Sequence, residues 1–170
     1  LFLRTDDPDL SILVNRAISG RYNVGSSFKP LVAYAALATG QLPNGDKYTF
    51  EDRGTYKLES IPEEKCQDGV KCVFRNAICL STGYPCRYGK VNVEAALAVS
   101  SDAFFYKIGE QILTERGYAP VLEQEVRKFG LGSPTNIDLP YEYSGTIPSK
   151  ELKKRLANMG VITQEAGEAY

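Results

Sequence analysis

The sequence predicts one α+β domain in which helices predominate. Three observations lead to this prediction. The chain has 170 residues, 43% of them hydrophobic and 24% charged, which is the composition of an ordinary folded domain. Apolar residues recur at helical spacing at 26–38, 92–113 and 120–129. The stretch between the first two, 41–90, lacks long periodicity and offers only short segments of strand character.

The first elements are a short strand and a buried helix. An apolar run at 10–14 follows an acidic turn and is predicted as the strand. The helix at 26–38 is apolar nearly all round, so we expect it at the centre of the core. Pro30 fits its first turn, where the missing amide hydrogen has no intrahelical acceptor, and Gly40 is the expected stop.

Two further helices meet near Ser101. Asn92 is expected to cap a helix that runs to about Val99. The next helix is expected to start near Ser101 or Asp102. Its apolar residues fall on one stripe that faces a core, namely Phe104, Phe105, Ile108, Ile112 and Leu113.

The remaining elements are short. Segments at 48–50 and 55–58 have the composition of strands. A last helix at 120–129 is expected to end at Gly130, and 137–140 is expected to be an extended, turn-bounded segment.

Charge and hydropathy exclude two classes of partner. The 20 basic and 21 acidic residues are interleaved and give a formal net charge of -1, so we expect no nucleic-acid partner and no anionic membrane surface. No apolar run approaches the roughly 20 residues that span a bilayer.

The chain begins without methionine and ends without an obvious terminating element, so we expect a piece of a longer protein.

Four cysteines lie in the polar part of 41–90, which we interpret as a stapled insertion. They form no C-x-x-C pair, and the chain has no histidine to complete a mixed zinc site. We therefore expect disulfides ahead of free thiols, with zinc third, and no metal or cofactor. Of three possible connectivities we favour Cys66 with Cys72 and Cys79 with Cys86. Oxidised cysteines would indicate an extracytoplasmic compartment.

Ser26 and Lys29 have the spacing of a serine nucleophile that a lysine activates. A Ser-His-Asp device cannot be built from a chain without histidine. Three helical residues rise about 4.5 Å, so the two side chains share one face, and burial of the lysine can lower its pKa enough for it to act as a base. The alternative is a helix-capping serine followed by a surface lysine, since S-x-x-K alone occurs by chance in about half of such chains.

A second motif, Ser100-Ser101-Asp102, lies at the junction of two predicted helices and is the only S-x-[DN] in the sequence. Ser100 could relay a proton to a leaving group, and Asp102 could orient Lys29 or hydrogen-bond a substrate amide. The alternative is that Asp102 or Ser101 only caps the following helix.

Together these motifs resemble the transpeptidase domain of class B penicillin-binding proteins, whose motif set is S-x-x-K, S-D-N and K-T-G. The resemblance covers most of the chain and leaves 41–90 unmatched. It is carried by residues 15–17, 22–30, 95–106, 129–132 and 137–140. It implies a penicillin-binding protein/serine β-lactamase-like fold, of which this chain holds mostly the helical part with an incomplete antiparallel sheet. Aspartate in the third place of the second motif looks like the elongation-type branch.

The implied function is that of a serine-type peptidoglycan D,D-transpeptidase. Ser26 would attack the D-Ala-D-Ala end of a stem peptide with Lys29 as the acylation base and Ser100 and Asp102 assisting. Ser27 and Ser101 are predicted to contact substrate, and β-lactams would acylate Ser26.

The resemblance also implies partners and a location. No K-T-G occurs in the chain, so we expect it in a complementary C-terminal chain and expect this fragment alone to be an incomplete enzyme. A wall-synthesis glycosyltransferase is a further expected partner. The expected location is the extracytoplasmic face of the bacterial cell membrane, with the anchor outside this chain.

Two other classes stay open. A β-lactamase or β-lactam sensor domain shares the S-x-x-K start, but it would need a deacylating device or a signalling membrane partner. A non-catalytic scaffold on the same fold would show no acylation at Ser26 in an intact chain.

Overall fold

The computed structural model describes residues 15–20, 22–66, 72–115, 120–147, 149, 151–152 and 155. The strand predicted at 10–14 lies outside the described residues. Within them, no helix is both long and apolar enough to cross a membrane.

After a short first helix that was not predicted, the helices of the described residues follow the predicted order. They are α1 (Arg16–Ser19), α2 (Lys29–Ala38), α3 (Val93–Ala98), α4 (Asp102–Glu115) and α5 (Val121–Arg127). The helix predicted from Ser26 begins as a 3-10 turn, Gly25–Phe28, and becomes α-helical only at Lys29. The Lys29 amide bonds the Ser26 carbonyl three residues back, which is the 3-10 pattern.

Helix α2 ends at the predicted glycine. Gly40 has a φ of +71°, and its amide bonds the carbonyl of Leu37 at 3.2 Å. The amide of Gln41 donates to the carbonyl of Ala36 at 2.8 Å. This pair of bonds is the Schellman ending, in which glycine takes the left-handed position at no steric cost.

The core lies between α2 and the helices α4 and α5. The small residues Ala35 and Ala36 are fully buried, so α4 can approach closely, and Phe104 and Ile108 are fully buried against them. Each large side chain buried this way contributes about 1.5–3 kcal/mol. Four residues of the predicted α4 stripe, Phe104, Phe105, Ile108 and Ile112, are therefore confirmed as core residues, and Leu113 is half-buried.

In the part of the chain that the structure describes, four short strands form two antiparallel pairs. Strand β1 (Phe50–Asp52) pairs with β4 (Gly89–Val91), and β2 (Thr55–Lys57) pairs with β3 (Val73–Arg75). Aromatic residues join them to α4: the ring centroids of Phe50 and Phe104 are 6.2 Å apart, and those of Phe74 and Tyr106 are 4.6 Å apart. The architecture is the predicted α+β, and the 41–90 stretch supplies all four of these strands.

Both predicted disulfides are present. Cys66 pairs with Cys72 and Cys79 with Cys86, with Cα–Cα distances of 5.6 and 5.0 Å. The Cys86 amide also bonds the Ala77 carbonyl at 3.0 Å, so the second loop is closed by its backbone as well. Each bridge restricts the unfolded chain, an effect of about 2–4 kcal/mol.

Candidate active site

The first turn before α2 holds the two serines of the S-x-x-K motif. Ser26 and Ser27 lie in the exposed 3-10 turn Gly25–Phe28. The hydroxyl of Ser27 donates to the Val24 carbonyl at 2.5 Å, which ties it to its own turn. Ser26 is exposed to solvent one turn from Lys29, which is buried. The motif therefore presents an accessible hydroxyl next to a buried amine.

Lys29 is fully engaged by the second motif. Its Nζ donates to the Ser100 carbonyl at 2.7 Å, to Ser100 Oγ at 2.9 Å and to Asp102 Oδ1 at 2.5 Å. An ammonium group has three N–H donors, so these partners use all of them. The Phe105 ring, whose centroid is 5.7 Å from Nζ, covers the charge. Three of the four predicted catalytic residues thus meet in one cluster.

Ser100 holds a strained backbone at the centre of this cluster. Its φ is +56°, and it takes the same place after α3 that Gly40 takes after α2. The amides of Ser100 and Ser101 bond the carbonyls of Leu97 and Ala96 at 3.2 and 2.9 Å, which repeats the Schellman ending. A side chain in the left-handed region costs about 1–2 kcal/mol. Strain of this kind is concentrated at functional sites.

Asp102 lies in the first turn of α4, where the helix dipole favours a negative charge. Its side chain is 28% exposed and that of Lys29 is 11% exposed, so the ion pair is largely shielded from water. Burial, and then the negative charge of Asp102, raise the pKa of Tyr106 one turn further along α4. Tyr106 therefore keeps its proton beside the site.

Ser101 does not face the cluster. Its side chain is fully buried, and its hydroxyl donates to Asp52 Oδ2 and accepts the Phe104 amide at 3.1 Å. The Ser101 hydroxyl is therefore not exposed, as the predicted substrate contact would require. Asp52 and Asn76, its neighbours, were not singled out from the sequence, because neither belongs to a motif and both lie in the unpatterned 41–90 stretch.

Among the described residues, no group of three or more Cys, Asp or Glu side chains is placed to hold a metal ion.

Comparisons with known proteins agree with the two motifs. The family described as the penicillin binding protein transpeptidase domain matches residues 4–162. The peptidoglycan D,D-transpeptidase MrdA of Escherichia coli K12 is 33% identical over 150 residues, which cover 88% of this chain and 20% of that protein. MrdA of Acinetobacter baumannii is 32% identical over 143 residues, covering 84% of this chain and 18% of the relative.

A solved structure matches the fold. The crystal structure of Pseudomonas aeruginosa PBP2 in complex with WCK 5153 superposes with a TM-score of 0.65 at 26% identity, covering 91% of this chain and 30% of that one. The chain spans about a fifth of the length of the curated relatives that it matches. The family match over most of the chain and the shared fold lead to one conclusion: this chain belongs to the transpeptidase domain family of the class B penicillin-binding proteins.

Proposed function

We propose that this chain is part of a serine-type peptidoglycan D,D-transpeptidase that cross-links stem peptides in bacterial cell-wall synthesis. The observation that carries the proposal is the Lys29 ammonium held by Ser100 and Asp102 one turn from the exposed Ser26. Relatives at about a third identity are named peptidoglycan D,D-transpeptidase, which supports the same reaction class.

Acylation begins with Lys29, which needs a free electron pair before it can accept a proton. As an ammonium group it has none, and its three N–H groups all donate to Ser100 and Asp102, so the proposed reaction starts from the neutral amine. Neutral Lys29 then takes the hydroxyl proton of Ser26 as its oxygen attacks the carbonyl of the penultimate D-alanine.

The Ser26 O–C bond forms and the peptide C–N bond breaks. Ser100 hands a proton from Lys29 to the departing nitrogen, so the terminal D-alanine leaves as an amine and Lys29 is ready for the next step. Ser100 suits this role because its hydroxyl lies 2.9 Å from Lys29 Nζ. The product of this half-reaction is an ester between Ser26 and the stem peptide.

Transfer repeats the same steps in reverse. An amine of a neighbouring stem peptide attacks the ester carbonyl, a new C–N bond forms, and the C–O bond to Ser26 breaks while the amine proton returns to Ser26 through Lys29. A β-lactam enters at the first step: its ring C–N bond opens and the acyl group stays on Ser26.

The first two proposed partners follow from this chemistry, and the last two from analogy with the family. They are stem peptides ending in D-Ala-D-Ala, β-lactams, a K-T-G-containing portion that lies outside this chain, and a wall-synthesis glycosyltransferase. The proposed location is the extracytoplasmic face of the cell membrane, and the two disulfides support an oxidising compartment.

Intact-mass spectrometry after incubation with a penicillin tests the proposal. The experiment uses this chain alone and the longer protein that carries the K-T-G portion, each as wild type, Ser26→Ala and Ser81→Ala. Ser81 is the matched control because it is an exposed serine that lies outside both motifs. We expect one drug-mass adduct on wild type and on Ser81→Ala and none on Ser26→Ala. Absence of the adduct from every form would leave a non-catalytic scaffold.

A further inference from the structure

We propose that Asp52 and Asn76 are positioning residues that hold the Ser100–Asp102 junction in register with Lys29. The inference rests on the proposed function, since it assigns these two residues to the same site. Neither residue belongs to a sequence motif, and both come from the strand region that packs behind the junction.

Asp52 is the buried end of β1 and the acceptor of the network. It is 1% exposed, and its carboxylate accepts hydrogen bonds from three neutral groups. These are the Gly54 amide at 2.7 Å, Asn76 Nδ2, which lies 2.9 Å from both oxygens, and the Ser101 hydroxyl. A buried carboxylate that is bonded in this way fixes the direction of the donors around it.

Asn76 connects Asp52 to α4. It is 4% exposed, and besides Asp52 its Nδ2 donates to the Cys86 carbonyl at 2.8 Å. Its Oδ1 accepts the Ala103 amide at 2.7 Å. The Ala103 amide belongs to the first turn of α4, where no intrahelical acceptor exists. Asn76 therefore acts on this helix as a cap supplied from the residue after β3, across 27 residues of sequence.

The network grips α4 on both sides of Asp102. Ser101, the residue before it, is bonded to Asp52, and Ala103, the residue after it, is bonded to Asn76. Asp102 itself is left to face Lys29. Asp102 and Ser100 are two residues apart, so a shift of this turn would move them together. Such a shift would also disturb the bonds from Lys29 to the carbonyl and the hydroxyl of Ser100.

The backbone of Ser100 gives a physical reason why the junction must be held on both sides. Its left-handed backbone is unfavourable for a serine and persists only where the surroundings over-determine it. The Schellman bonds of α3 hold it from one side, and the Asp52–Asn76 network holds the next residues from the other. Loss of the network would let the junction relax and misplace the proton relay, and displacement by about 1 Å can slow a reaction about 100-fold.

The test compares Asn76→Ala with Asn92→Ala in the full-length protein. Asn92 is a matched control because its Oδ1 also accepts a helix-start amide, that of Ala95 at 2.9 Å, but it caps α3 at the end far from Ser100. Penicillin acylation is measured by stopped flow, which separates the binding constant of the first complex from the acylation rate constant. Stability is measured by urea unfolding.

We expect Asn76→Ala to lower the acylation rate constant at least about tenfold and to leave the binding constant within about twofold of wild type. Asn92→Ala should lose stability and keep its acylation rate constant within about twofold. If Asn76→Ala does not fold, Asp52→Asn takes its place, since it keeps the shape of the side chain but removes the charge. It should show the same fall in the acylation rate constant. An unchanged acylation rate constant in a folded variant of Asp52 or Asn76 would overturn the proposal.

A second readout separates this proposal from the proposed function. If the wild-type protein is not acylated at all, hydrogen exchange at the amides of 100–104 still decides the positioning role. Faster exchange at these amides in Asn76→Ala, with exchange in α5 unchanged, supports the positioning role. Unchanged exchange at these amides overturns it, whatever the enzyme does.

Discussion

Ser100 sets two requirements against each other, because its hydroxyl serves Lys29 while its backbone occupies a position that suits glycine. The comparison with Gly40, which ends α2 in the same way, shows what the chain gives up to keep a side chain there. Stability and activity are therefore expected to respond in opposite directions at this residue.

Ser100→Gly and Ser100→Ala separate the two effects. Both variants lose the hydroxyl next to Lys29, but only glycine relieves the left-handed strain. We expect Ser100→Gly to be about 1 kcal/mol more stable than Ser100→Ala by urea unfolding, and both to lose most penicillin acylation. Equal stabilities of the two variants would show that the backbone at this position is not left-handed in solution.

The residues of the site divide into those that local sequence predicts and those that it does not. Lys29, Ser100 and Asp102 were singled out from the spacing within two motifs, and the structure brings these three into one hydrogen-bonded cluster. The catalytic roles of these residues and of Ser26 stay predictions. Asp52 has no such signal. Its partner Ser101 is 49 residues away, and only the pairing of strands far apart in sequence brings them together.

At the scale of elements the same distinction holds. Long periodic segments such as α4 were predicted with nearly correct limits, because an apolar stripe over several turns is a strong signal. The strands are three residues each, too short for alternation to be recognised, so β3 and β4 were not predicted and β1 begins where its predicted segment ends. Their position is set by pairing and by the aromatic contacts with α4.

One buried carboxylate fastens the segment after β2 to α4. Glu110 accepts the Tyr56 hydroxyl at 2.5 Å and the amides of Glu59 and Ser60 at 3.1 and 2.6 Å. Burial by itself raises the pKa of Glu110, but the bonds from Ser60, Tyr56 and Glu59 outweigh it and leave the pKa below its ordinary value of 4.5. Burial, then the bond to Glu110, raise the pKa of Tyr56, which therefore stays a donor.

Glu110→Gln should reveal this fastening through its dependence on pH. A carboxyl with a lowered folded-state pKa stabilises the fold above 4.5, and the stabilisation is lost as pH falls through the folded-state value. We expect wild type to be about 2 kcal/mol more stable than the variant at neutral pH, and the difference to shrink in acid. Urea unfolding over this range measures it.

Tyr56→Phe provides the control for the pH experiment. It removes one donor to Glu110, so the folded-state pKa should rise toward 4.5, and the pH-dependent loss of stability should be smaller and complete at a higher pH than in wild type. A stability difference between wild type and Glu110→Gln that grows in acid would contradict the assignment.

For the whole molecule, the site is where three distant parts of the chain converge: the start of α2, the α3–α4 junction and the strand region. The ion pair between Lys29 and Asp102 joins the first two across 73 residues of sequence. Because both side chains are largely buried, removing either partner leaves the other without a counter-charge in a poorly solvated place. The pair that we propose to be catalytic is therefore also a structural link between α2 and α4.

A double-mutant cycle with Lys29→Met and Asp102→Asn measures this link. Each single change should cost about 2–3 kcal/mol of unfolding free energy, while the double variant should cost less than their sum by about 1–3 kcal/mol, since it leaves no unpaired charge. The exposed pair of Lys57 and Glu63, 2.6 Å apart with side chains 49% and 80% exposed, is the control and should show no resolvable coupling. Additive effects at Lys29 and Asp102 would mean that the pair serves the chemistry alone and does not hold the two helices together.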